Sequence, residues 1–241
     1  MKRLAICLGI TRVDPTSPAY GGWDGDCPGC DRDAARVATI AHDRGFNGVC
    51  ALVDSCVDHP YVVPAFEAAA AVLGADDLLL LYYSGHGGRQ RDLDGDEDDG
   101  HDETLCWYSG EVLDDRIADY LRRLPAGVRV LLISDSCNSG TQFRGRSKRQ
   151  HSTPVQLSPK SVDGFAGSLI SFGGCADGRS SYGADEGGKF TIALLDVLKK
   201  ARKSLTYADW FSRAAKRMPK YQTPVLQTWG DPSFLDREAL T

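Results

Sequence analysis

The sequence predicts an α/β protein in three layers, a mostly parallel sheet of about six strands with helices on both faces. Two observations carry this. Short apolar runs of strand length alternate with segments of helical spacing, and the strands read as continuous apolar stretches rather than alternating ones, the pattern of strands buried on both sides. The composition agrees: 42% of the 241 residues are hydrophobic and 25% charged, the balance of an ordinary globular chain and not of a coiled coil, a collagen or a disordered segment.

The elements follow in order. Arg3 to Gly9 reads as a first strand, followed by a Gly/Pro/Asp-rich loop through Gly29. Asp33 to Arg44 carries apolar residues at 34, 37, 38, 40 and 41, a helical spacing that Gly45 stops. Gly48 to Val53 is a second strand, Val62 to Leu73 an Ala-rich helix ending at Gly74, and Leu78 to Tyr83 a third strand. A helix at Val112 to Leu124 precedes a fourth strand, Val128 to Ser134, and Ser168 to Phe172 is the fifth. Helices near Phe190 to Lys200 and Tyr207 to Arg217 lead to a sixth strand at Val225 to Thr228. No repeat or linker divides the pattern, so residues 1–241 are expected to form a single domain. Two connections exceed the usual length, the acidic Gly85 to Glu103 and a basic, flexible loop over 138–167. Both leave the carboxyl ends of strands, where open α/β sheets build their sites.

Twenty-eight basic and 33 acidic residues leave a net charge of −5, which gives no global pull toward nucleic acid or lipid. No apolar run nears the ~18 residues of a membrane span, and the N-terminus lacks the apolar core and cleavage site of a secretory signal. A cytoplasmic protein is expected, with its eight cysteines reduced. Most of them should be small core residues. Cys27-Pro28-Gly29-Cys30 is a CxxC, but no second CxxC or His pair follows at zinc-ribbon spacing. That disfavours a structural zinc site, and a thioredoxin-like redox pair is disfavoured more.

Cys137 is read differently. The third strand runs out through Ser84-Gly85-His86-Gly87-Gly88, and the fourth through Asp135-Ser136-Cys137-Asn138-Ser139-Gly140. A His and a Cys thus stand just past the ends of two strands that can be neighbours ~4.8 Å apart. A thiol is only slightly ionised at neutral pH, and an imidazole beside it generates the thiolate and later protonates a leaving amine. The amides of Gly87 and Cys137 are candidate donors to a tetrahedral oxyanion.

At these residues the sequence resembles the caspase-like cysteine peptidases, in particular the metacaspases and their bacterial relatives, the orthocaspases. Tyr83-Ser84-Gly85-His86-Gly87 and Asp135-Ser136-Cys137-Asn138-Ser139-Gly140 are similar to the family's two catalytic boxes. The likeness extends to Gly29-Cys30-Asp31-Arg32-Asp33-Ala34, the acidic run from Asp94 to Glu103, Asp114-Asp115, Phe172-Gly173-Gly174-Cys175-Ala176-Asp177 and Gly188-Lys189-Phe190-Thr191, in family order. It implies the caspase-like fold and endopeptidase activity through Cys137 and His86. It further implies cleavage after Arg or Lys, since the pocket positions are the acidic Asp33 and Asp135, with Ser84 lining the same pocket. Two partly buried carboxylates favour a cation between them. Asp33 also has a purely structural alternative, as an acid in a helix's first turn.

Eight of the twelve residues from Asp92 to Glu103 are acidic. An EF-hand counted from Asp94 fails, because its Gly and Glu positions hold Asp99 and Leu105. No cofactor is needed for the chemistry. The resemblance implies Asp102, Asp114 and Asp115 as calcium ligands of an activating site, although a fourth family carboxylate is replaced by Arg144. The basic loop holds Arg144, Arg146, Lys148 and Arg149, residues that an Arg/Lys-directed pocket accepts. The expectation is a monomeric zymogen activated by cleavage there, by itself or by an upstream protease. Its partners would be protein substrates with exposed Arg or Lys, with no nucleic acid and no membrane. The alternative is a catalytically silent caspase-fold interaction or regulatory module, against which intact His86 and Cys137 argue. A small-molecule thiol hydrolase has no GxGxxG or P-loop in its favour. Tyr20, Trp23, Trp107, Trp210 and Trp229 are open between core and substrate contact.

Overall fold

The structure is a computed structural model that describes residues 1–91, 101–138, 162–174, 187–220 and 222–241. Its strands are β1 (Arg3–Gly9), β2 (Gly48–Val53), β3 (Leu78–Arg91), β4 (His101–Cys106), β5 (Glu111–Leu113), β6 (Arg129–Asn138), β7 (Ser168–Gly173) and β8 (Val225–Trp229). Its helices are α1 (Cys30–Asp43), α2 (His59–Val72), α3 (Asp114–Arg122), α4 (Lys189–Lys200) and α5 (Tyr207–Ala215). The main sheet runs β2-β1-β3-β6-β7-β8, parallel except for β8. This is the α/β architecture expected from the sequence.

Two cores explain the layering. Phe66 of α2 and Ile117, Ala118 and Leu121 of α3 pack on one face of the sheet with Ile6, Leu8, Leu79 and Leu81. Ala34, Val37 and Ala41 of α1, with Leu194 and Val197 of α4 and Trp210 of α5, cover the other face over Ala5, Cys7, Leu80 and Tyr82. Successive residues of β1 and β3 therefore go to opposite cores, which is why Leu4 to Leu8 and Leu78 to Tyr83 are apolar at every position. Among the described residues no helix is long and apolar enough to cross a membrane.

The structure corrects several boundaries. The third and fourth strands do not end at Tyr83 and Ser134; β3 continues to Arg91 and β6 to Asn138, so His86 and Cys137 lie within paired strands. Glycines and serines are poor strand formers alone, and here the neighbouring ladder overrides local propensity. The acidic segment is not one loop: its beginning belongs to β3, its end forms β4, and β4 pairs antiparallel with both β3 and β5. The helix expected from Val112 starts at Asp114, because Glu111–Leu113 is the short strand β5. The expected loop over 138–167 is bounded by structure: Asn138 is in β6, Val162 is buried, and the Gly127 N–H donates to the Ala166 carbonyl at 2.9 Å. Residues 92–100 and 139–161, the latter including Arg144, Arg146, Lys148 and Arg149, lie outside the described residues.

The seating of α1 on β1 depends on Gly9. A Cβ there would collide with the Cys30 carbonyl oxygen and lie 2.8 Å from the Ala34 Cβ. Overpacking of this kind costs ~1–3 kcal/mol. Gly9→Ala should therefore lower the urea unfolding midpoint by a corresponding amount, and an unchanged midpoint would show that α1 does not sit this closely.

Candidate active site

β3 and β6 run parallel from Leu78 opposite Arg129 to Gly87 opposite Asn138, and in that register His86 stands opposite Cys137. Gly87 also pairs with Leu105 of β4, so this part of β3 is held on both edges. The Tyr83 hydroxyl bridges the backbone around it, lying 2.7 Å from the His86 carbonyl and 2.8 Å from that of Cys106. Gly85 is required by this bracing: a Cβ would come 2.6 Å from the Tyr83 hydroxyl oxygen and collide with Ile10.

The imidazole of His86 rests on the segment before α1. Its Nε2 lies 3.4 Å from the Asp26 carbonyl, which accepts, and its ring centroid is 4.8 Å from that of Trp23. Burial holds its pKa below the ordinary value, opposed in part by the carbonyls of Asp26 and Gly25. A neutral ring that donates from Nε2 keeps Nδ1 as its basic nitrogen. Trp23, Gly25 and Asp26 carry no sequence motif that marks them as partners of a histidine 60 residues or more beyond. Only the Gly/Trp/Asp density of that loop stands out.

The acidic pocket positions do converge. Asp33 is fully buried in the first turn of α1; its Oδ2 accepts from the Gly188 N–H at 2.5 Å and from the Ser84 hydroxyl at 3.4 Å. Asp135 of β6 accepts from the Thr191 N–H at 2.8 Å and its hydroxyl at 2.7 Å, and Thr191 in turn lies 2.6 Å from the buried Tyr82 hydroxyl. The amino end of α4 is thus turned on both carboxylates, as helix N-termini favour. Gly187, at φ 101°, and Gly188 permit the approach: a Cβ on either would strike Asp33 or Asp135 respectively. The carboxylate pair is not as bare as the sequence implies, because Arg36, 43% exposed, also meets Asp33 at 3.3 Å. Gly188 and Thr191 were within a matched segment, but only the fold shows that they bond the two acids.

Of the other expected residues, Asp102 and Asp114 are buried and Asp115 is partly so. Asp114 and Asp115 occupy the first turn of α3, and β4 pairs with β5 from Thr104 opposite Leu113, which brings the Asp102 and Asp114 ends of those strands together. Among the described residues, however, no group of three or more His, Cys, Asp or Glu side chains is arranged to hold a metal ion. Trp107, Trp210 and Tyr20 are core residues, whereas Trp23 faces the site.

With this geometry in view, the comparisons with known proteins are decisive. A family model described as the caspase domain matches residues 2–230. The chain belongs to the caspase-domain peptidase family. Among curated relatives of this caspase-domain chain, metacaspase-1 of Cryptococcus neoformans is 36% identical over 160 residues, 58% of this chain and 33% of that protein. Metacaspase-1B of Aspergillus fumigatus is 33% identical over 218 residues, 84% of this chain and 49% of its own. The chain spans about a third to a half of the length of such relatives. The crystal structure of protein GSU0716 from Geobacter sulfurreducens superposes with a TM-score of 0.81 at 34% identity, covering 100% of this chain and 99% of that one.

Asp33 gives a stability test. Burial, with the charge of Asp135 adding to it, raises its carboxyl from the usual 3.8 to about 7 against the lowering effect of the Gly188 N–H, Arg36 and Ser84. The folded chain binds this proton more tightly than the unfolded one, so the contribution to stability is full below the unfolded pKa and lost as pH rises through about 7. Asp33→Asn should gain stability relative to the unsubstituted chain as pH rises from 3.8 to about 7, in urea unfolding followed by circular dichroism. A difference that stays constant across that range would refute the raised carboxyl.

Proposed function

We propose that the chain is a cysteine endopeptidase that cleaves after Arg or Lys through Cys137 and His86. The observation that carries this reading is the β3–β6 register, in which the two residues stand opposite one another in adjacent strands. Family membership and the metacaspase relatives support the peptidase class. The neutral imidazole takes the Cys137 proton, the thiolate attacks the scissile carbonyl carbon, and the amides of Gly87 and Cys137 receive the oxyanion. The imidazolium then protonates the leaving amine. A water molecule, deprotonated by the same ring, attacks the acyl-enzyme and releases the new carboxyl terminus.

Asp33 and Asp135, with Ser84 beside Asp33, supply the first specificity pocket. A substrate guanidinium competes there with Arg36, whose ion pair is partly exposed and therefore weak. The chain is further read as a zymogen cut near Arg144, Arg146, Lys148 or Arg149 by itself or an upstream protease, acting on protein substrates in the cytoplasm.

The test is a fluorogenic panel with Arg, Lys or Asp before the cleaved bond, run with calcium and with chelator. Arg and Lys substrates should be cleaved and Asp ones not, and Cys137→Ala should lose activity by about three orders of magnitude or more. KM for the Arg substrate should rise as pH falls through about 7, because protonation of Asp33 removes a pocket charge. Asp135→Asn should raise that KM about tenfold or more, the effect of ~1.4 kcal/mol or greater. An Arg-chloromethylketone that fails to alkylate Cys137 would instead favour a silent interaction module. Replacing all four basic residues with Gln should leave an uncut chain of low activity; full activity without cleavage would rule out the zymogen.

A further inference from the structure

The Cys27-Pro28-Gly29-Cys30 motif takes no part in the peptide-bond chemistry, yet its two sulfurs lie 3.1 Å apart. Cys30 is the buried first residue of α1, while Cys27 is partly exposed just outside the helix. Between them Gly29 takes φ 94°, and Gly25, two residues before Cys27, takes φ 62°, conformations that glycine adopts without strain. A disulfide needs ~2.05 Å between sulfurs, so closure takes a movement of ~1 Å.

We propose that Cys27 and Cys30 form a reversible disulfide that slows the enzyme by shifting the segment on which His86 rests. The kinetic half of this proposal depends on the peptidase reading. The direction of the shift follows from packing. Cys30 is fixed because its carbonyl lies against Gly9, where no Cβ fits, and because it begins a 14-residue helix. Closure therefore moves Cys27, and with it the adjoining Asp26 carbonyl and the Trp23 ring that hold the imidazole.

The oxidant is a low-molecular-weight disulfide such as oxidised glutathione. The Cys27 thiolate attacks one of its sulfurs and expels a small thiolate, leaving a mixed disulfide. The Cys30 thiolate then attacks the Cys27 sulfur, the Cys27–glutathione bond breaks, and a second small thiolate leaves. The two protons given up by the cysteines end on the two released thiols. Hydrogen bonding with Cys27 and burial both raise the Cys30 thiol well above its ordinary value, so ring closure should quicken as pH rises.

The experiment incubates the full chain, and separately Cys137→Ala, in glutathione buffers of graded ratio, blocks free thiols with iodoacetamide and digests with trypsin. Cleavage after Arg12 and Arg32 releases one segment that contains both cysteines. In oxidising buffer that segment should lose two hydrogens and take no alkyl group, in both proteins alike. Over the same ratios kcat for the Arg substrate should fall on the order of 10-fold or more, as a ~1 Å misplacement near a catalytic group does, and return with dithiothreitol. Cys27→Ser should keep its kcat throughout. Two alkyl groups on the segment at every ratio would overturn the disulfide. A disulfide without a change in kcat, or a loss shared by Cys27→Ser, would overturn the control. A chain that cleaves nothing before oxidation defeats the peptidase reading instead, and the mass measurement still decides the disulfide.

Discussion

The parallel ladder between β3 and β6 is the constraint on which the rest of the molecule depends. It runs through the middle of the sheet, Leu78 opposite Arg129 at one end and Gly87 opposite Asn138 at the other. The first part is secured by burial, because Leu79, Leu80, Val130 and Leu131 are enclosed by helices on both faces. The last part has small polar residues and little apolar surface to fix it. Register there is inherited: a slip by one residue would turn every buried side chain of the lower strand to the wrong face. The apolar half thus sets which residue stands opposite His86, and Tyr83, Ile10 and β4 keep the extension from fraying.

A second constraint concerns charge. Burial penalises both carboxylates and displaces Asp33 and Asp135 upward in pKa, and the charge of Asp135 adds to the displacement of Asp33. The fold offsets part of this with the amino end of α4, through Gly188 and Thr191, rather than with a buried cation. Main-chain donors of this kind neutralise incompletely, and the partly exposed Arg36 beside Asp33 adds a positive charge from the rim.

Much of this was legible in the amino-acid sequence, and the parts that were not share a physical cause. β1, β2 and the buried half of β3 declare themselves by unbroken apolar runs, and α1 by its spacing of Ala34, Val37 and Ala41. The extensions of β3 and β6 could not be read that way, since Ser84-Gly85-His86-Gly87-Gly88 has the composition of a turn and becomes strand only through its partners. β4 and β5 are short, polar and antiparallel, and their pairing is non-local in origin. His86 and Cys137 stood out because their chemistry is particular, and Asp33 and Asp135 because the resemblance to the metacaspases marked their positions. The parts played by Trp23, Asp26, Gly188 and Thr191 did not, because the first is an ordinary aromatic, Asp26 and Gly188 act through main-chain groups common to every residue, and Thr191 adds to its N–H only an ordinary hydroxyl.

The antiparallel junction of β3 with β4 has a consequence for how this protein tolerates change. Arg91 and His101 stand opposite one another as the outermost rung of that ladder, with Gly87 and Leu105 four rungs inward. Whatever joins Arg91 to His101 is thereby insulated from the imidazole by several rows of main-chain bonds. Insertions, deletions or an appended reporter sequence between those positions should leave the inner part of β3 undisturbed, which makes this the natural place to graft new cargo.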